Sequence, residues 1–281
     1  MGRITDKKIK TERHKIKAVI EHYDSAQQVV EDCRKRSITD SSFNDMQNES
    51  IRKNWHGVES YEQALELLSK GYQPTVDKLK EGLKSNKSGI GKRITFKNDI
   101  VGAVPVVSLA IIGVPNNMVH TKIKPIKNKV IDIYYDMTCS CGTSSETILK
   151  NGQKVLAAII DLEQKGYAIN LYAVQTYSDS GSTDVLCVKV KSSGQPMDLK
   201  RISFPLTHTA FFRVIGFDWY SKCPKATYRG AYGRAIGYEL EEKEQREFAK
   251  QAFGSNATYI MATEIMDIDE KHLQEVLTNE K

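Results

Sequence analysis

Long apolar runs are missing from this chain. The longest, Ile100 to Val114, carries Pro105 and Gly113 and falls short of the ~20 apolar residues that a membrane-spanning helix needs. No membrane partner is expected. Met1 to Lys17 is basic and lacks an apolar centre, so no signal peptide is expected either. Cysteine is sparse. Cys33, Cys139, Cys141, Cys187 and Cys223 are odd in number and irregularly spaced, which argues against a disulfide framework. Cys139-x-Cys141 has no matching second pair, so a structural zinc site is not expected. Free thiols in a reducing, cytoplasmic setting follow. A strong charge imbalance is also absent. The formal net charge is +6, which permits contact with nucleic acid or an acidic partner without demanding it.

What is present is a globular composition. With 281 residues, 40% hydrophobic and 27% charged, the chain can bury one sizeable core beside an accessory region. Much of the positive excess lies near the start, in Lys7, Lys8, Lys10, Arg13, Lys15, Lys17, Arg34, Lys35 and Arg36.

Three segments are expected. The first, 1–50, is a basic helical N-terminal segment and linker. Ile9, Ile16, Val19, Ile20, Tyr23, Ala26, Val29 and Val30 form a loose stripe at helical spacing, predicting a helix over Lys8 to Arg36. The second, 51–125, is a helical accessory region and connection. Its main helix starts at Ser60, a good N-cap with Gln63 three residues on, and stops at Gly71. A shorter helix over Thr75 to Leu83 and a flexible joint over Asn86 to Lys92 follow.

The third segment, 126–281, alternates strand and helix. Val130–Tyr135, Ile169–Tyr177, Val185–Val190 and Thr258–Ala262 read as strands. Ser145–Lys165, Glu239–Phe253 and Asp269–Leu277 read as helices. Ile202 to Phe217 reads as an extended piece leading into a helix. This order implies an α/β, doubly wound, mostly parallel sheet with the Val185 strand antiparallel at an edge.

The first strand of that segment ends in Asp136-Met-Thr138-Cys-Ser140. A carboxylate and two hydroxyls at alternate positions, at the carboxyl end of a strand, can point into one space. Such oxygens suit a hard cation, Mg²⁺ or Mn²⁺, better than zinc. The plainer reading is helix capping and turn formation, at which Asp, Ser and Thr excel.

Asp136-x-Thr138-x-Ser140 resembles the first loop of the metal-ion-dependent adhesion site of von Willebrand factor A domains. The order strand, long helix, strand, hairpin strand agrees with that fold, which is Rossmann-like. The resemblance covers Val130 to the C-terminus. It implies Thr138 and Ser140 as direct ligands, Asp136 as a direct or water-bridged one, and Thr209 or Thr207 from a second loop. The family's third loop offers Asp, whereas this chain has Thr263-Glu264, with Asp267 later. A second resemblance covers more of the chain. Trp55-His-Gly57-Val-Glu-Ser60-Tyr-Glu-Gln-Ala64, Asp99-Ile-Val-Gly-Ala-Val-Pro105, the run Ser145 to Tyr172 and Phe204-Pro-Leu-Thr-His208 are similar to an uncharacterised family encoded by bacteriophages and mobile elements. It implies a genomic setting and a host cytoplasm, with or without virion association, and no particular reaction.

Other motifs carry less. The basic N-terminus suits phosphate backbones, or a solvated face. Tyr228-Arg229-Gly-Ala-Tyr232-Gly-Arg234 mixes aromatics and arginines, as base stacking requires, or forms a plain Gly-rich loop. Gly89-Ile-Gly91-Lys92 lacks the spacing of a phosphate loop. His208 stands alone and reads as structural. Cys139 and Cys141 have no identifiable base. Three functions are weighed. The first is a non-enzymatic phage protein that binds a protein partner, with the metal set Asp136, Thr138, Ser140, Thr209 and Glu264 completing the contact. The second is a nucleic-acid-associated protein using Lys7, Lys8, Lys10, Arg13, Lys15 and Lys17. The third is a metal-dependent hydrolase using Asp136 and Glu264.

Overall fold

The computed structural model describes residues 2–38, 51–85, 93–124, 129–223, 227, 232–261 and 270–278. Glu264, Asp267, the 86–92 joint, nearly all of the 37–49 linker and most of the Tyr228–Arg234 motif lie outside the described residues.

The N-terminal helix expected over Lys8 to Arg36 is corrected. The segment opens with two strands, β1 (Arg3–Lys10) and β2 (Lys15–Tyr23), and only then forms α1 (Ala26–Lys35). Ile16, Ala18 and Ile20 are all buried, whereas Lys15 and Lys17 are exposed. Over Lys15–Ala18 that is the two-residue period of a strand with one covered face, and from Val19 to Glu21 both faces are covered. α1 starts where Ser25 accepts a hydrogen bond from the Gln28 amide, a side-chain N-cap.

Next come α2 (Lys53–His56), α3 (Tyr61–Lys70) and α4 (Gln73–Ser85). The Ser60 hydroxyl caps α3 through the Gln63 amide and Gly71 ends it, as its sequence implies. A separate small sheet holds β3 (Arg93–Asp99), β4 (Val104–Pro105) and β5 (Met118–Lys124), with α5 (Val107–Ile111) between the last two.

The central run is β6 (Val130–Asp136), α6 (Ser145–Gln164), β7 (Ala168–Asp179) and β8 (Ser182–Lys191). Ser144 caps α6 through the Thr147 amide. β7 and β8 run further toward each other than expected, because Ser180 and Gly181 take φ of 45° and 84° and close a two-residue turn of the kind that matches strand twist.

Ile202 to Phe217 is helical apart from His208, whose backbone is extended, which corrects the expected extended lead-in. α7 (Leu199–Thr207) leads into a π-helical turn, Phe211–Gly216, and α8 (Phe217–Lys222). Its side chains are buried on every side, so no amphipathic stripe marks them as helix. The chain ends with α9 (Glu242–Phe253), β9 (Ala257–Met261) and α10 (Glu270–Thr278).

The architecture is α/β, with a six-stranded sheet in the order β1-β2-β8-β7-β6-β9. β2 pairs with β8, and β6 with both β7 and β9, in parallel; the β1–β2 and β7–β8 pairs are antiparallel. β8 is therefore not an edge strand. β2 and β1 extend the sheet beyond it. One face packs Ile131, Ile133, Leu171, Leu186 and Val188 under α1, α6, α7 and α8. The other packs Ile16, Ile20, Tyr134, Val174 and Val185 against Phe248 and Ala252 of α9. Among the described residues no helix is long and apolar enough to cross a membrane.

Candidate functional site

Asp136 ends β6 at the carboxyl edge of the sheet and is fully buried. Its Oδ1 accepts from the Thr138 amide at 2.9 Å. Its Oδ2 accepts from the Thr176 hydroxyl at 2.5 Å and the Tyr259 hydroxyl at 2.5 Å. Thr138 Oγ1 in turn accepts from the Thr176 amide at 2.8 Å, and Thr176 Oγ1 from the Ile236 amide at 3.0 Å. Burial pushes the Asp136 carboxyl above its usual range, and these hydrogen bonds pull it back. The carboxylate thus ties β6 to β7 and β9.

The predicted ligand set divides. Asp136 and Thr138 come together with two residues that the sequence did not single out, Thr176 and Tyr259. Ser140 is exposed, and its carbonyl accepts from Arg213 Nη2 at 3.4 Å. Thr207 is buried and bonds the Ser203 carbonyl and Thr75, on the α7–α4 contact. Thr209 is buried close to Gly57. A cation at Asp136 would compete with donors already in place, and the Thr138 amide among them cannot turn its hydrogen away. Among the described residues there is no group of three or more His, Cys, Asp or Glu side chains able to hold a metal.

Beside this loop sits Arg213, 1% exposed. Its guanidinium donates to the carbonyls of Trp55 at 2.8 Å and Thr143 at 2.6 Å, and lies 4.5 Å from the Trp55 ring centroid. Trp55 Nε1 donates to the Cys141 carbonyl at 3.0 Å. Arg213 and Trp55 together clamp the loop between β6 and α6. The π-helical turn that presents Arg213 leaves carbonyls unpaired within the helix; Gln175 of β7 donates to that of Phe211 at 3.1 Å. Gly216 is needed for that contact, since a Cβ there would lie 1.6 Å from Gln175 Oε1. Cys139 is buried beside Arg213, and burial raises its thiol pKa, which is the reverse of nucleophile activation.

The basic N-terminal residues also divide. Lys7 Nζ donates to the Gln251 and Ala252 carbonyls at 2.8 and 2.9 Å, at the C-terminal end of α9, where a cation is favoured. Arg13 pairs with Glu241. Lys8, Lys10, Lys15 and Lys17 are exposed, and among the described residues none is in an ion pair. The strand register sets Lys8 opposite Lys17 and Lys10 opposite Lys15, while Ile9 and Ile16 point inward. The turn end of the hairpin is thereby given an apolar side and a lysine side, with Asp6 and Ile4 following on the lysine side further along β1. Thr11 Oγ1, the Arg13 amide and His14 Nδ1 all bond Glu244 Oε1 at 2.7–3.0 Å, which locks the hairpin turn onto α9.

A family model for a domain of unknown function, DUF7192, matches residues 6–278. The chain belongs to the DUF7192 family. No curated protein and no solved structure matches it. The match begins within β1 and ends at the last residue of α10, so the hairpin, the small sheet and the Asp136 edge all belong to the DUF7192 domain.

Proposed function

We propose that this DUF7192 protein is a non-enzymatic nucleic-acid-binding protein whose contact surface is the lysine face of the β1–β2 hairpin. One observation carries this: four exposed lysines are set opposite one another in two like-charged cross-strand pairs. Directly opposed like charges destabilise a sheet. A partner that brings negative charge along its whole length removes that cost. The two pairs lie about 7 Å apart along the strands, a ladder of ammonium groups suited to a phosphate backbone. With no exposed aromatic among the strand residues of the hairpin, recognition is of phosphate and independent of base sequence.

The setting we infer is that of a phage or mobile-element protein acting in a host cytoplasm, which rests on the sequence resemblances. A von Willebrand A-like core is supported by the order β8-β7-β6-β9 with Asp136 at the carboxyl end of β6. A second reading, recognition of a protein partner through Mg²⁺ or Mn²⁺ at that edge, is favoured by the convergence of Asp136, Thr138, Thr176 and Tyr259 oxygens. It requires Thr176 and Tyr259 to release the carboxylate.

Filter binding of the full chain to a short DNA duplex and to single-stranded RNA tests the first reading. Removing the first 36 residues is not a usable control, because it deletes two strands of the sheet. Lys8→Gln with Lys10→Gln is expected to weaken binding at least tenfold and to reduce the dependence of log affinity on log salt by about two. Absent or salt-independent binding by the unmodified chain overturns it.

A further inference from the structure

The small sheet has a surface of a different kind. No residue from Lys97 to His120 is buried. Ile100, Val101, Val104, Val107, Ile111 and Ile112 are 59–79% exposed, and α5 buries none of its side chains. A three-stranded sheet is stable when an apolar face is covered. These six apolar side chains fall within the thirteen residues Ile100–Ile112, on and beside the small sheet, and exposed apolar side chains in such concentration mark an interaction site.

We propose that this face is a self-association surface, covered by the same face of a second copy of the chain. Three observations favour that occupant. First, no charged residue or histidine lies between Ile100 and Val119. A two-fold axis sets such a patch against itself with no like charges opposed. Second, the large exposed side chains of this segment are aliphatic, with Ser108 and Asn116 the exposed polar ones. Trp, Tyr and Arg, the usual anchors of contacts between different proteins, are absent from Ile100–Val119, as are the Trp and Tyr that sit at membrane surfaces. Interfaces of permanent homodimers have this core-like composition. Third, the area suffices. A buried Val or Ile side chain removes roughly 60–120 Å² from water. The six named residues on each of two copies bring the contact to about 1,000 Å², the size at which a specific interface becomes credible.

Sedimentation velocity of the full chain across micromolar concentrations tests this. The unmodified chain is expected to sediment as a dimer. Ile111→Asp with Ile112→Asp, and separately Val107→Asp, are expected to give monomers with unchanged far-ultraviolet circular dichroism, because these side chains support nothing within one copy. As a second measurement, Ile111→Cys in a Cys141→Ser background is expected to form an intermolecular disulfide under mild oxidation. A monomer at about 100 μM, a dimer that persists in both variants, or no cross-link overturns the proposal. So does a monomer that floats with phosphatidylcholine vesicles and loses this on Ile111→Asp, which would assign the face to lipid.

Discussion

Lys8 and Lys17 stand directly opposite each other across the β1–β2 hairpin, and both are exposed. Nothing in the fold needs this. The inward partners Ile9 and Ile16 supply the packing, and any polar residue would serve on the outer face. A repulsive pair on the outer side of the hairpin is what the proposed contact with a negatively charged partner would relieve.

Stability and binding should therefore move in opposite directions at this pair. Lys17→Glu replaces a repulsive cross-strand contact with an attractive one, worth ~0.2–1 kcal/mol and a rise of about 1–3 °C in Tm for a chain of this size. The same change should weaken nucleic-acid binding at least tenfold. Paired thermal melts and filter binding check it. A variant that loses both stability and binding would mean that the lysine face is structural.

Asp136 gives a second test. Its carboxylate satisfies donors from Thr138, Thr176 and Tyr259. Asp136→Ala takes the acceptor from the buried Thr176 hydroxyl, the half-buried Tyr259 hydroxyl and the Thr138 amide and should cost ~3 kcal/mol, with or without Mg²⁺. Differential scanning calorimetry separates the two readings of this edge. If Mg²⁺ raises the Tm of the unmodified chain and Asp136→Ala abolishes that rise, the ion-dependent reading holds. A destabilised variant with no Mg²⁺ response in either protein assigns the residue to tying strands together.

These two positions also show what a sequence reveals and what it hides. β6, α6, β7 and β9 were legible because apolar runs of strand length alternate with a capped amphipathic stretch, and Asp136 falls at the end of the first run. The N-terminal hairpin was not. Ile9, Ile16, Val19 and Ile20 fit a loose helical stripe as well as a strand, and the turn Thr11-Glu-Arg-His14 has no Gly, Pro or Asn to mark it. The alternation Lys15-Ile16-Lys17-Ala18 was the available signal. The partners of Asp136 were out of reach, since Thr176 and Tyr259 lie 40 and 123 residues away and meet it only through strand register. A single arginine within an aromatic run gave no sign that Arg213 would clamp a loop.

Arg213 should resist conservative replacement. Its planar fork reaches the carbonyls of Trp55, Ser140 and Thr143 at once and lies over the Trp55 ring. Lysine has one ammonium and no plane to stack. Arg213→Lys is expected to cost ~2–4 kcal/mol in urea unfolding and to free the loop that carries Cys141. The rate at which a maleimide labels exposed Cys141 reports this directly, and an unchanged rate would show that the loop holds its place without the clamp.

His208 sets an acid sensitivity with a defined window. It is buried against Tyr72 and Phe204. Its Nδ1 accepts from the Ala210 amide at 3.2 Å, which fixes the neutral ring with its proton on Nε2. Burial lowers its pKa to about 4 from the ordinary 6.5. Between those values the unfolded chain carries a proton that the folded chain refuses, so unfolding takes up protons and acid favours it. Stability should rise with pH through that window, flatten above about 6.5, and lose at most about 3 kcal/mol on going down to pH 4 from this residue alone. His208→Asn keeps an acceptor for the Ala210 amide and cannot be protonated. It should cost on the order of 1 kcal/mol at pH 7 through lost ring packing and be less sensitive to acid between pH 6.5 and 4. Urea midpoints of the two proteins across that range measure the difference. Parallel pH profiles would place the acid response in carboxylates held below their usual range, Glu244 and Asp32 among them, and not in Asp136, whose raised pKa acts in the opposite direction.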